Sequence, residues 1–84
     1  MTISKLKTEL DERKVPLSWY GLGGYSEEAY CIEKTSESEW SVYYGERGNK
    51  ERIKIFISEE DACAELWEVI LKKLVRNKTK NYVG

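Results

Sequence analysis

One segment of alternating side chains constrains the fold of this 84-residue chain more than any other feature. Residues 39–48 read EWSVYYGERG, so that Trp40, Val42 and Tyr44 recur at every second position. Successive side chains of a β-strand point to opposite faces. The segment therefore predicts a central strand that turns these three side chains toward one face. That apolar face has to be covered by another part of the chain.

Two further alternating segments complete a predicted sheet. Residues 29–34 form one of them, and residues 52–57 form the other, in which every second residue is isoleucine. Three strands with short connections predict an antiparallel meander. We expect the isoleucines to share the covered face with Trp40, and Tyr43 and Phe56 either to pair across strands on the other face or to form an exposed interface. The residues assigned to that other face are Cys31, Ser41, Tyr43, Lys54 and Phe56.

One helix is predicted before the meander in the sequence and another after it. Thr2 or Ser4 caps a first helix that runs to about Lys14, because Pro16 disfavours helical geometry at the residue before it. Ser58 is the N-cap of a second helix, with a broad apolar stripe that is wide enough to cover a sheet face.

The predicted fold class is α+β: a helix, a three-stranded antiparallel meander and a helix, with the helices packed on one sheet face. At this length we expect a single domain, 1–84, in which residues 77–84 fray. The core prediction is that four side chains are buried: Trp40, Ile55, Leu66 and Ile70.

The composition argues against catalysis. Histidine is absent, so Ser-His and Cys-His nucleophile pairs cannot form, and Cys31 and Cys63 are too isolated for a zinc site. We therefore expect no enzyme activity, no metal and no cofactor. No signal-like or membrane-spanning apolar run is found, so we expect a cytoplasmic protein with reduced thiols.

Two segments that we predict to be exposed have both a structural and a functional interpretation. Trp19 and Tyr20, in the glycine-rich residues 17–24, either fold back over the sheet edge or anchor a partner protein. Glu46 and Arg47, in the turn after the central strand, either stay in water or present Arg47 to an anionic partner group.

The second helix carries acidic residues first and basic residues last. Glu59, Glu60 and Asp61 open it, and residues 72–80 are rich in lysine and arginine, as the helix dipole favours. The element order is similar to that of double-stranded-RNA-binding domains, which begin their second helix with phosphate-clamping lysines. The carboxylates stand at those positions here and would repel phosphate, so nucleic-acid binding is the third choice.

A second resemblance runs from Tyr30 to Cys63. The W-x-V-Y-Y-x-E-R-G stretch from Trp40 to Gly48 is followed by F-x-S-E-x-x-A from Phe56 to Ala62, and both resemble small bacterial proteins predicted to be immunity proteins of polymorphic toxin systems. This resemblance implies a cytosolic, non-enzymatic protein that binds a toxin domain and blocks its active site.

We therefore predict a protein-binding module of the immunity-protein kind, with a homodimeric structural or regulatory module as the alternative. The acidic helix start would suit a basic nuclease groove. The predicted partner-binding residues are Trp19, Tyr20, Tyr43, Glu46, Arg47, Glu59, Glu60 and Asp61.

Overall fold

The computed structural model describes residues 1–83, with side chains for residues 1–77. The described residues form two α-helices and one four-stranded sheet. The elements in chain order are helix α1 (Ile3–Glu12), a 3-10 turn (Leu17–Trp19), strands β1 (Tyr20–Leu22), β2 (Ala29–Ser36), β3 (Glu39–Glu46) and β4 (Asn49–Phe56), and helix α2 (Glu59–Val83). Most of the residues predicted to fray, 77–84, have side chains outside the described residues, so their fraying stays a prediction.

The sheet is mixed rather than purely antiparallel. Its strand order is β1-β2-β3-β4, in which β2, β3 and β4 form the predicted meander and β1 pairs parallel to β2. The prediction of three strands is wrong because it treated residues 20–22 as a loop. Three residues are too few to show an alternating pattern, and the neighbouring glycines are typical of a connection.

Both helices begin at the predicted caps. The Thr2 hydroxyl accepts a hydrogen bond from the Lys5 amide, and the Ser58 hydroxyl accepts one from the Asp61 amide at 3.1 Å. Glu59 links the two helices, because its carboxylate accepts a hydrogen bond from the Ile3 amide at 2.8 Å. The start of α1 is thus fastened to the start of α2.

The main core lies between the helices and one sheet face. Leu6 and Leu10 of α1 are buried there against Leu66 and Ile70 of α2 and against side chains from the sheet. The predicted burial of Leu66 and Ile70 is confirmed, whereas Trp40 is only half-buried at the edge of this core.

A β-bulge places the side chains of β4 opposite to the prediction. The hairpin starts with Glu46 paired to Asn49, but the register shifts between Val42 and Tyr44, so that Val42 pairs with Lys54. Arg52 is the extra residue, with a left-handed φ of 55°. A shift of one residue exchanges the two faces of a strand.

The exchange corrects three expectations about β4. Lys54 and Phe56 lie on the helix-covered face, and Phe56 is paired with Trp40 instead of Tyr43. Ile55 is 52 % exposed on the opposite face, so its predicted burial is wrong.

The loop of residues 23–28 covers half of the second sheet face. The Tyr25 ring stacks on Tyr43 with ring centroids 6.4 Å apart, and the loop backbone passes close over Gly45. Tyr25 also accepts a hydrogen bond from the Gly48 amide at 2.8 Å, which ties the loop to the β3-β4 turn. Cys31 and Tyr43 are buried beneath this loop as a second, smaller core.

Candidate functional site

The uncovered half of the second sheet face carries a row of isoleucines, called here the isoleucine surface: Ile53, Ile55 and Ile57. Their exposed fractions are 51 %, 52 % and 84 %. Ile53 and Ile55 lie in β4 and Ile57 directly follows its last residue. In the described residues β4 is an edge strand with no neighbour on its outer side. Contiguous apolar side chains beside an open strand edge are typical of a protein-protein contact.

Charged groups border the isoleucine surface at both ends. At the Ile53 end, the Lys50 ammonium pairs with the Glu33 carboxylate at 2.9 Å, and Tyr43 donates a hydrogen bond to the same carboxylate. The Tyr43 hydroxyl is the main reason that the pKa of Glu33 lies below its ordinary value. At the Ile57 end, the chain leads directly into the acidic start of α2.

Two of the aromatic residues predicted to bind a partner lie inside the protein. Tyr20 is 6 % exposed in the main core, where its hydroxyl has no hydrogen-bond partner among the described side chains, and Tyr43 is 2 % exposed beneath Tyr25. Neither ring is accessible to a partner, so the expected contact role of these two tyrosines is corrected.

Trp19 is half-buried against the main core. The Lys73 ammonium lies 4.4 Å from the centroid of its ring, a cation-π contact between the 3-10 turn and α2. The interpretation of residues 17–24 as a segment folded over the sheet edge therefore describes Trp19 better than that of a free anchor.

The predicted turn residues are exposed as expected. Arg47 and Gly48 form a two-residue turn in which both φ angles are positive, at 52° and 80°. No ion pair joins Arg47 to Glu46 or Glu51 in the described residues. Both side chains of the turn, Glu46 and Arg47, stand free for solvent or a partner.

The acidic start of α2 divides into two roles. Glu59 is half-buried, and its carboxylate accepts a hydrogen bond from the Ile3 amide, whereas Glu60 and Asp61 are exposed. The exposed pair can attract a basic partner beside Ile57, while Glu59 contributes to holding the helices together.

The two thiols have the properties of core residues. Burial is the main cause that raises the pKa of Cys31 above its ordinary value, and it raises the pKa of Cys63 to about 11. Both thiols are therefore protonated at neutral pH and poorly nucleophilic. The part of the chain with described side chains holds no group of three metal-ligating residues, and none of its helices has the length and hydrophobicity needed to cross a bilayer.

A cleft that the sequence analysis missed lies on the helix-covered side of the sheet. It opens between β4 and the second half of α2, and is called here the basic cleft: Tyr30, Tyr44, Arg52, Lys73 and Arg76. These residues come from three strands and one helix, so no sequence motif brings them together. The basic residues in 72–80 are the one feature of the sequence that indicates this cleft.

Comparisons with known proteins add no relative to this description. A scan against protein-family models found no match, and searches of curated proteins and of solved structures found none either.

Proposed function

We propose that this chain is a non-enzymatic, cytoplasmic protein-binding module whose partner docks on the isoleucine surface. The observation that carries the proposal is the exposure of Ile53, Ile55 and Ile57 on one face of an edge strand. Exposed apolar area of this kind is costly to keep in water, and a partner that covers it gains about 25 cal/mol for each Å² removed from water.

Charge favours a partner with a basic docking surface. Glu60 and Asp61 are exposed beside the Ile57 end of the isoleucine surface. Carboxylates at the rim of an apolar patch speed association with a basic partner and disfavour acidic ones. Together with the resemblance of residues 40–62 to immunity proteins, this supports a toxin domain with a basic active-site groove as the partner.

Self-association of the β4 edges is the alternative. An antiparallel pairing of two copies centred on Ile53 would place Arg52 opposite Lys54, and one centred on Lys54 would place that lysine opposite itself. Like charges directly opposite each other destabilise a strand pair. These two registers of self-pairing are therefore disfavoured, whereas a register centred on Ile55 would pair Lys54 with Phe56 and Ile53 with Ile57 and is the form of self-association to be tested.

The test compares wild type with Ile55→Lys and with a matched control, Leu17→Lys. Leu17 is 69 % exposed in the 3-10 turn, so its substitution adds the same charge at an apolar position away from β4. A partner captured from the source organism is identified and produced alone, and its affinity for each variant is measured by calorimetry. We expect Ile55→Lys to weaken binding at least tenfold, or about 1.4 kcal/mol, and Leu17→Lys to leave it unchanged.

A growth assay tests the immunity role of the same complex. We expect the partner alone to arrest cell growth, and co-expression of wild type, but not of Ile55→Lys, to restore it. Equal binding by wild type and both variants would contradict the docking surface. A wild-type dimer in sedimentation that Ile55→Lys converts to monomer would instead support self-association.

A further inference from the structure

We propose that the basic cleft binds a phosphate monoester that carries a flat organic group. This site is separate from the isoleucine surface, because it lies on the opposite side of the sheet. The inference goes beyond the proposed function and does not depend on it.

The cleft carries an excess of positive charge. Two adjoining cavities of about 210 Å³ and 400 Å³ form it, and they share the side chains of Arg52 and Arg76. Five cationic and three acidic side chains line the two cavities, which leaves an excess of two positive charges. A phosphate monoester carries about −1.5 to −2 at neutral pH and would neutralise this excess. The charged lining residues are Arg52, Lys54, Lys72, Lys73, Arg76, Glu46, Glu51 and Glu65.

Arg52, Lys73 and Arg76 are the lining cations that make no ion pair within the described residues, and the two arginines are the forked donors among them. Lys54 pairs with Glu65 at 3.0 Å, and Lys72 is 3.3 Å from Glu68. No carboxylate of the described residues lies within ion-pair distance of Arg52 or Arg76. Guanidinium groups bind phosphate through paired N–H donors in a fixed fork, so two of them on facing elements suit one phosphate group.

The backbone conformation of Arg52 indicates that the fold fixes the direction of its side chain. A left-handed conformation is unfavourable at a residue other than glycine. Arg52 adopts it with φ of 55° as the extra residue of the bulge, and its side chain lines both cavities. Bulges of this kind are frequent next to binding sites, where they redirect a side chain.

The apolar part of the cleft provides a place for the organic group. Tyr30 and Tyr44 line both cavities, with ring centroids 5.0 Å apart, and Val42 and Val69 line the smaller one. The Lys73 ammonium lies 5.9 Å from the centroid of the Tyr30 ring and also contacts the Trp19 ring. These two rings hold the ammonium at the wall of the cleft. The smaller cavity, at about 210 Å³, has room for a single aromatic ring.

The experiment is an NMR titration of backbone amides with phenyl phosphate, inorganic phosphate and phenol. We expect saturable shifts at residues lining the basic cleft, with phenyl phosphate the tightest ligand and phenol the weakest. Arg76→Gln, on the exposed surface of α2, should weaken phenyl phosphate about tenfold, as should Arg52→Gln. Arg47→Gln, an exposed arginine in the β3-β4 turn, is the matched control and should change the affinity less than twofold.

Three results would overturn the proposal. The first is the absence of saturable shifts in the cleft with phenyl phosphate, and the second is an equal loss of affinity in Arg47→Gln. The third is binding of a single-stranded oligonucleotide that weakens steeply with salt while phenyl phosphate does not bind, which would assign the cleft to nucleic acid. Because Arg76→Gln lies outside the sheet, a failure of Arg52→Gln to fold leaves the test intact.

Discussion

Truncation of one buried and one exposed side chain tests the register of β4. Leu66 is fully buried in the main core, whereas Ile55 is 52 % exposed on the isoleucine surface. Either substitution by alanine removes three carbons. At about 0.8 kcal/mol for each buried carbon group, Leu66→Ala loses about 2.4 kcal/mol of transfer free energy, and the cavity left behind raises the cost to about 3–4 kcal/mol. Ile55→Ala loses only about half of the transfer term, or roughly 1 kcal/mol.

Urea unfolding monitored by far-UV circular dichroism measures both costs. With a slope of about 1 kcal/mol per molar urea, the midpoint should fall by about 3 M for Leu66→Ala and by about 1 M for Ile55→Ala. A domain of this length has a free energy of unfolding of about 4–13 kcal/mol, so Ile70→Val, with a cost of about 1 kcal/mol, serves if Leu66→Ala is too unstable to measure.

The two costs separate the two registers. Without the bulge at Arg52, continuation of the hairpin register would pair Trp40 with Ile55 and bury the isoleucine beneath the helices. Ile55→Ala would then cost as much as Leu66→Ala. Equal costs would therefore refute the bulge, and with it the isoleucine surface.

Three further outcomes follow from contacts described above. Gly45→Ala should expose Cys31 to a thiol reagent, because the added Cβ would collide with the carbonyl oxygen of Ser26 and lift the loop; an unchanged rate of thiol modification would contradict this. The pKa of Glu33 is lowered in the fold, so its stabilising contribution is present above its ordinary value of 4.5 and is lost as pH falls below it; thermal unfolding from pH 6 to pH 3 should show a steeper loss for wild type than for Glu33→Gln. Arg52→Gly should relieve the left-handed strain and raise the melting temperature slightly while it weakens phenyl phosphate binding about tenfold, and a lower melting temperature would argue against strain at this residue.

Local patterns in the sequence correctly predicted the helix starts and three of the strands. The Thr2 and Ser58 caps act within one helical turn, and alternation within β2 and β3 depends only on neighbouring residues. Tyr20 was missed as part of a strand because β1 exists only through its pairing with β2. A three-residue strand has no period of its own to detect.

The candidate sites were less accessible to sequence reasoning than the fold. Tyr43 was expected to contact a partner, but the loop carrying Tyr25 crosses the sheet and buries it. The sequence predicts that Glu59 contacts a partner, but its carboxylate accepts a hydrogen bond from the Ile3 amide, 56 residues away in sequence. Contacts over such separations leave no periodic signal, and the basic cleft went unrecognised for the same reason.

The sequence by itself determined that the chain forms an α+β domain with a central meander, since periodicity and helix capping are local properties. It also determined that Ile53 and Ile55 share a face, because no bulge interrupts the alternation between them. Only the tertiary structure decided whether that face meets the helices. One extra residue at Arg52 shifts the register, and register depends on the pairing of two strands rather than on either sequence alone.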